Sequence, residues 1–293
     1  MSIGQEIKQS FKQGSLHTKL IYVNIGVFLA VSIVNVIMLI SGNRDYFSLL
    51  EWLQVPSYLP HLITMPWTLV TYMFTHENLF HILFNLLALY WFGQIFLRFF
   101  TQKQLLSTYL WGGLAGGILF VLAFNAIPLF VEMKYLSVMI GASASIMAIT
   151  FAAATYSPNY TIYIVFFGEV RLKYIALVYL IIDLISIAGT NAGGHIAHLG
   201  GALAGYLIAL KLKQNSSTNL GLGWVDGIFN LFSSERNNMK VVHKRSISDM
   251  EYNATKVKRE GNINEILDKI NKTGYESLTK EEREELFKMG NKN

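Results

Sequence analysis

The chain has 293 residues, of which 52% are hydrophobic and only 15% charged, with a mean hydropathy of +0.37. A soluble domain carries about a quarter charged residues, which excludes an ordinary water-soluble enzyme, and the absence of cysteine excludes disulfides, thiolate metal sites and a cysteine nucleophile. Residues 1–210 hold 9 Lys/Arg and 7 Asp/Glu against 15 and 12 in residues 211–293, so the net charge of +5 describes a mixed-charge polar tail after an apolar body, not a nucleic-acid surface.

About 20 apolar residues cross a bilayer core, and the charge-free windows place six helices. The first, 20–43 between Lys19 and Arg44, is far longer than a signal-peptide core and is read as a permanent anchor. The window 52–76 is long enough to span but holds Pro56, Pro60 and Pro66. Each removes a backbone donor, which hydrocarbon does not tolerate. With Trp52, Tyr58, Trp67 and Tyr72 it reads as an interfacial, partly inserted loop. The second span is 78–97, the third 104–131, and the fourth runs from Tyr135 to near Pro158. The fifth is 174–187, apolar except for Asp183, and the sixth is 191–210.

Orientation follows from the basic residues at the helix ends. With the N-terminus cytoplasmic, that side receives Lys8, Lys12, Lys19, Arg98, Lys103, Arg171, Lys173, Lys211 and Lys213, and the outer side only Arg44 and Lys134. Nine against two places both termini in the cytoplasm.

Polar groups inside spans are functional candidates. The second span opens with His76, and His81 and Asn85 lie four apart on one face. The fourth carries Gly141-Ala142-Ser143-Ala144-Ser145, and the sixth carries His195 and His198 with Gly201 and Gly205. In this topology all three clusters fall in the outer half of the membrane. A serine needs a base to become a nucleophile, and acyl transfer needs donors for the developing oxyanion. Taken singly, each has a plainer explanation. A serine bonds its own helix, glycines at four-residue spacing pack helices, as Gly112/Gly116 and Gly113/Gly117 do in the third span, and a histidine bridges helices.

His81-x-x-x-Asn85, Gly141-x-Ser143-Ala144 and Ala197-His198-x-x-Gly201-x-x-x-Gly205, in that order on helices two, four and six, resemble the rhomboid intramembrane serine proteases over about residues 15–213. The resemblance implies an all-α polytopic membrane protein with a six-helix core. Ser143 is then nucleophile and His198 general base, a dyad without a carboxylate. His81, Asn85 and the Ser143 backbone N–H form the oxyanion hole, and His76 holds the loop above it. Gly141, Gly201 and Gly205 shape the site. It further implies a serine endopeptidase that cleaves single-span membrane proteins, with no cofactor, no metal and no nucleic-acid partner, in the inner (plasma) membrane of a bacterial cell. Met147 departs from the pattern, standing where many rhomboids have a tyrosine against the catalytic histidine. Asp183 reaches the depth of His195 and His198 and is either a support for one of them or a protonated or helix-bridging aspartate.

The domain boundaries expected are 1–18 for a cytoplasmic N-terminus, 19–213 for the six-helix domain, 214–261 for a linker with an interfacial amphipathic helix, and 262–293 for a small helical segment. In the linker, Trp224, Ile228, Leu231 and Phe232 repeat at helical spacing. In the last segment Ile263, Ile266, Leu267 and Ile270 form one stripe that Gly274 breaks, and Thr279 with Glu282 starts a second helix carrying Leu286 and Phe287. This hairpin resembles the C-terminal extension of rhomboids from Bacteroidetes-type bacteria; its partner is not readable. Two other classes compete. One is an inactive rhomboid-like binding protein, which usually lacks the serine or the histidine. The other is a metal or haem protein using His76, His81, His195 and His198, disfavoured because no carboxylate accompanies them on the same faces.

Overall fold

The computed structural model describes residues 2–42, 48–215, 220 and 266–290. Residues 1–235 and 236–293 form two separate units.

In the first unit α1 (Ile3–Gln13), with a Ser2 capping box, precedes α2 (Leu16–Ile40), capped by Ser15. The span thus begins before Lys19 and not after it, because the Ser15 side chain accepts the Thr18 N–H and sets the helix start there. Short helices follow: α3 (Ser48–Glu51), α4 (Leu59–Thr64), α5 (Thr68–Thr71) and a 3-10 turn at Tyr72–Phe74. The last three occupy the proline-rich window that the sequence excludes as a span, with Pro60 in the first turn of α4, where its missing donor costs nothing. Then come α6 (Leu79–Phe96), α7 (Gln102–Ala126), α8 (Pro128–Val131), α9 (Ser143–Tyr156), α10 (Leu172–Ser186) and α11 (Ala192–Gln214).

Two further expected boundaries are corrected. The third span stops at Ala126, not 131, because Pro128 pushes Ile127 into extended backbone (ψ 119°) and opens a separate turn. The fourth helix starts at Ser143, not Tyr135. Its expected first turns contain β2 (Val138–Met139), which pairs antiparallel with β1 (Val55–Pro56) through Val55↔Met139 and Pro56↔Val138. A charge-free apolar run does not distinguish strand from helix, and the partner strand lies some eighty residues away. Between α9 and α10 a hairpin of β3 (Thr161–Ile164) and β4 (Gly168–Arg171) turns through Phe166, whose φ is +75°.

Four described helices, α2, α6, α7 and α11, are long and apolar enough to cross a membrane. α9 has 14 residues and α10 has 15, about 21–23 Å each at 1.5 Å per residue. α9 is the centre of the fold: most of its residues are buried, and α6, α7, α10 and α11 all pack on it. Apolar side chains instead cover the outside of α2, α6 and α10, as expected of helices whose solvent is lipid.

In the second unit residues 266–273 are helical, Gly274 breaks the helix at φ +80°, and a helix over Lys280–Gly290 follows. The capping box is present, with Thr279 N–H on Glu282 Oε2 at 2.7 Å and Glu282 N–H on Thr279 Oγ1 at 3.3 Å. Lys269 Nζ donates to both Glu282 oxygens at 2.9 Å, which holds that carboxyl below its usual range. The expected helix at Trp224–Phe232, the stretch 235–261, Ile263, Arg44 and the Phe287 side chain lie outside the described residues.

Candidate active site

The loop ahead of α9 is built on glycine. Gly141 has φ +116°, a left-handed conformation that disfavours any side chain. A Cβ there would also lie 2.6 Å from His81 Nε2, so the imidazole fills the space glycine leaves. The Gly141 N–H is tied to the Tyr72 carbonyl at 2.9 Å, and the Tyr72 hydroxyl donates to the Gly113 carbonyl at 2.6 Å. Tyr109 donates to the Met73 carbonyl at 2.6 Å. These bonds and the β1/β2 pair clamp the proline-rich segment and the loop into α9 against α7.

Ser143 is the first residue of α9 and is half-buried. Ala142 caps the helix without a side-chain hydrogen bond, so the first-turn N–H groups and the positive end of the helix dipole face this point. Ser145 is different: it is fully buried, and its Oγ would lie 2.6 Å from a Cβ on Gly113, which turns it towards α7. Of the two serines only Ser143 is partly exposed.

Glycines set the helix spacing beside it. A Cβ on Gly201 would fall on the Ala144 carbonyl, and one on Gly205 on the Ala148 carbonyl. Gly116 of α7 closes the triangle, since a Cβ there would meet Ala144 Cβ at 2.6 Å and the Ala197 carbonyl at 2.8 Å. Ala144 and Ala197 are the chain neighbours of Ser143 and His198, so the two polar residues belong to backbones that almost touch. Packing this close needs residues without side chains. No hydrogen bond joins Ser143 to His198 in this conformation among the described residues.

His81 and Asn85 stand on α6, with Asn85 Nδ2 on the His81 carbonyl at 2.8 Å. His76 is buried and meets the His81 ring edge-on, with centroids 5.1 Å apart. Met147 is buried within α9.

Asp183 of α10, 3% exposed, takes both histidines of α11 on one oxygen: His195 Nδ1 and His198 Nδ1 each lie 2.8 Å from Oδ1. Asp183, expected to support one of the two histidines or to bridge helices, contacts both. The carboxylate comes from a neighbouring helix, where spacing along α11 does not reveal it. A charged side chain at the centre of a membrane helix costs about 2.5–3.5 kcal/mol on insertion scales, and two hydrogen bonds to such a group, at about 1.5–3 kcal/mol each, are enough to offset a cost of that size. The three ligand atoms lie within 4.8 Å of one another, which makes this the one group among the described residues able to hold a metal. Ligands about 2.0–2.2 Å from a zinc ion in tetrahedral array stand about 3.3–3.5 Å apart. The 2.8 Å spacings here match shared protons better.

A Rhomboid domain family model matches residues 64–215, and a family of unknown function, DUF6576, matches residues 246–291. RHOMBOID-like protein 12, mitochondrial, of Arabidopsis thaliana is 29% identical over 156 residues, covering 50% of this chain and 46% of that protein. The chain therefore spans about half the length of the curated relative it matches. The first match takes in α5 through α11 and every element of the site, so the chain belongs to the rhomboid family.

Proposed function

We propose that the protein is an intramembrane serine endopeptidase. The observation that carries this reading is Ser143, half-buried at the uncapped start of α9, next to Ala144, whose carbonyl lies against Gly201 of the helix bearing His198. Ser143 is the nucleophile and His198 the general base. His198 Nδ1 is engaged by Asp183, which leaves Nε2 to take the serine proton. The hydroxyl attacks the carbonyl of an unwound substrate segment, the oxyanion is held by His81, Asn85 and the Ser143 N–H, and water then releases the acyl-enzyme. Catalytic hydrogen bonds are often long before substrate binds, so the open Ser143–His198 pair is compatible with this role. Substrates are single-span membrane proteins with helix-breaking residues and a small residue before the cut, because a regular helix shields its peptide bonds. The chain sits in the inner (plasma) membrane of a bacterial cell with both termini cytoplasmic, supported by the nine-to-two distribution of basic residues.

An inactive rhomboid-like binding protein would share the fold, but it needs neither an accessible serine nor a supported histidine. The test is cleavage of a single-span model substrate by the purified protein. Cleavage by the wild type that disappears in Ser143→Ala supports the protease, and binding without cleavage supports the alternative.

A further inference from the structure

The proposed dyad uses a serine and a histidine, and neither role explains why a buried carboxylate faces α11. Along α10 only Leu172, Ala176 and Asp183 are buried, so Asp183 is the one charged group this helix sends inward. Both of its imidazole partners use Nδ1, and both meet the same oxygen, Oδ1, at 2.8 Å. Oδ2 is buried with no hydrogen-bond partner. An ionised carboxylate accepts from two N–H groups at once, and both Nδ1 atoms stand at hydrogen-bond distance from Oδ1. Each histidine then carries its proton on Nδ1, and each Nε2 keeps a lone pair.

We infer that Asp183 is a positioning residue for His198: it accepts the Nδ1–H, fixes the ring and its tautomer, and so presents Nε2 to Ser143. The inference rests on the protease reading above. In the acylation step the proton moves from Ser143 Oγ to His198 Nε2 as the new C–O bond forms. The carboxylate stays ionised throughout and stabilises the imidazolium. His195, one turn away on the same helix, shares the oxygen without taking part, and its ring lies nearly perpendicular to that of His198 at 5.8 Å between centroids. It is a second tie between Asp183 and α11, and the His198 bond alone holds the carboxylate in place.

Asp183→Asn is the discriminating change, because its amide can donate to Nδ1 and drive the proton onto Nε2. In soluble serine proteases the equivalent change costs about 10⁴-fold in kcat while the geometry survives. For the full chain in detergent, Asp183→Asn should lower kcat by 10²-fold or more with KM within about twofold. Asp183→Glu should recover part of the loss, and His195→Phe should stay within about threefold of wild type. Nitrogen-15 spectra of labelled histidines, assigned with His198→Ala, should give the Nδ1–H tautomer for His198 in the wild type and Nε2–H in Asp183→Asn. Wild-type kcat in a folded Asp183→Asn, or an Nε2–H tautomer in the wild type, overturns the inference. If Asp183→Asn fails to fold, the wild-type spectrum decides alone. The spectra need no turnover, so a wild type that cleaves nothing counts against the protease reading and not against the hydrogen bond.

Discussion

Ser143 and Ser145 are two residues apart in a run of small side chains, and the structure separates them by access. Ser145 is fully buried with its hydroxyl towards Gly113, whereas Ser143 opens the helix. Ser143→Ala and His198→Ala should each reduce cleavage to background with membrane insertion intact, because loss of either reacting group disables the unit. Ser145→Ala should retain measurable activity. An inactive Ser145→Ala beside an active Ser143→Ala would place the nucleophile in the wrong register. On α6, loss of one oxyanion donor costs about 10²–10³ in rate in soluble proteases. Asn85→Ala and His81→Ala are expected to lower kcat more than they raise KM, and two variants with unchanged turnover would exclude α6 from the oxyanion hole. The motifs of α6 and α11 were legible because each lies on one helix, where spacing of three and four marks a face, whereas Gly141 lies in the loop before Ser143. That Asp183 holds both His195 and His198 was not legible, because the contact joins α10 to α11 and no pattern along either helix encodes the pairing.

At the scale of elements the site depends on how closely α11 approaches α9. A Cβ on Gly201 or Gly205 strikes backbone carbonyls, which cannot turn aside. Gly201→Val should push α11 outward by an ångström or more beside Ser143, and misplacement of that size costs on the order of 10²-fold in rate. At Gly113 the obstacles are side-chain atoms only, of Met73 and the Ser145 hydroxyl. Gly113→Val should therefore lower the unfolding temperature more than the specific activity of the folded fraction. Thermal unfolding and specific activity on both variants separate the two effects, and a fully active Gly201→Val would contradict the proposed contact. Helix positions were legible from charge-free windows. The start of α9 was not, since the apolar run before it is held in β2 by a strand that belongs to the proline-rich segment.

The whole molecule divides into a membrane unit that holds every candidate reacting group and a separate polar unit. Residues 1–235 should cleave a model substrate as the full chain does. Truncation at Gln214 removes Leu220, which is buried and accepts the Trp111 indole N–H at 2.8 Å. It should unfold at a lower temperature than residues 1–235. Complete inactivity of a well-folded 1–235 would make the polar unit part of the catalytic machine. The central claim is that Ser143 is a nucleophile activated by His198, and the most direct measurement is covalent labelling of the detergent-solubilised full chain by a fluorophosphonate, with the adduct mapped by mass spectrometry. The account predicts one adduct per chain, on Ser143, absent from Ser143→Ala and reduced to background in His198→Ala. A folded wild type that takes no label, or one labelled on Ser145, would contradict it.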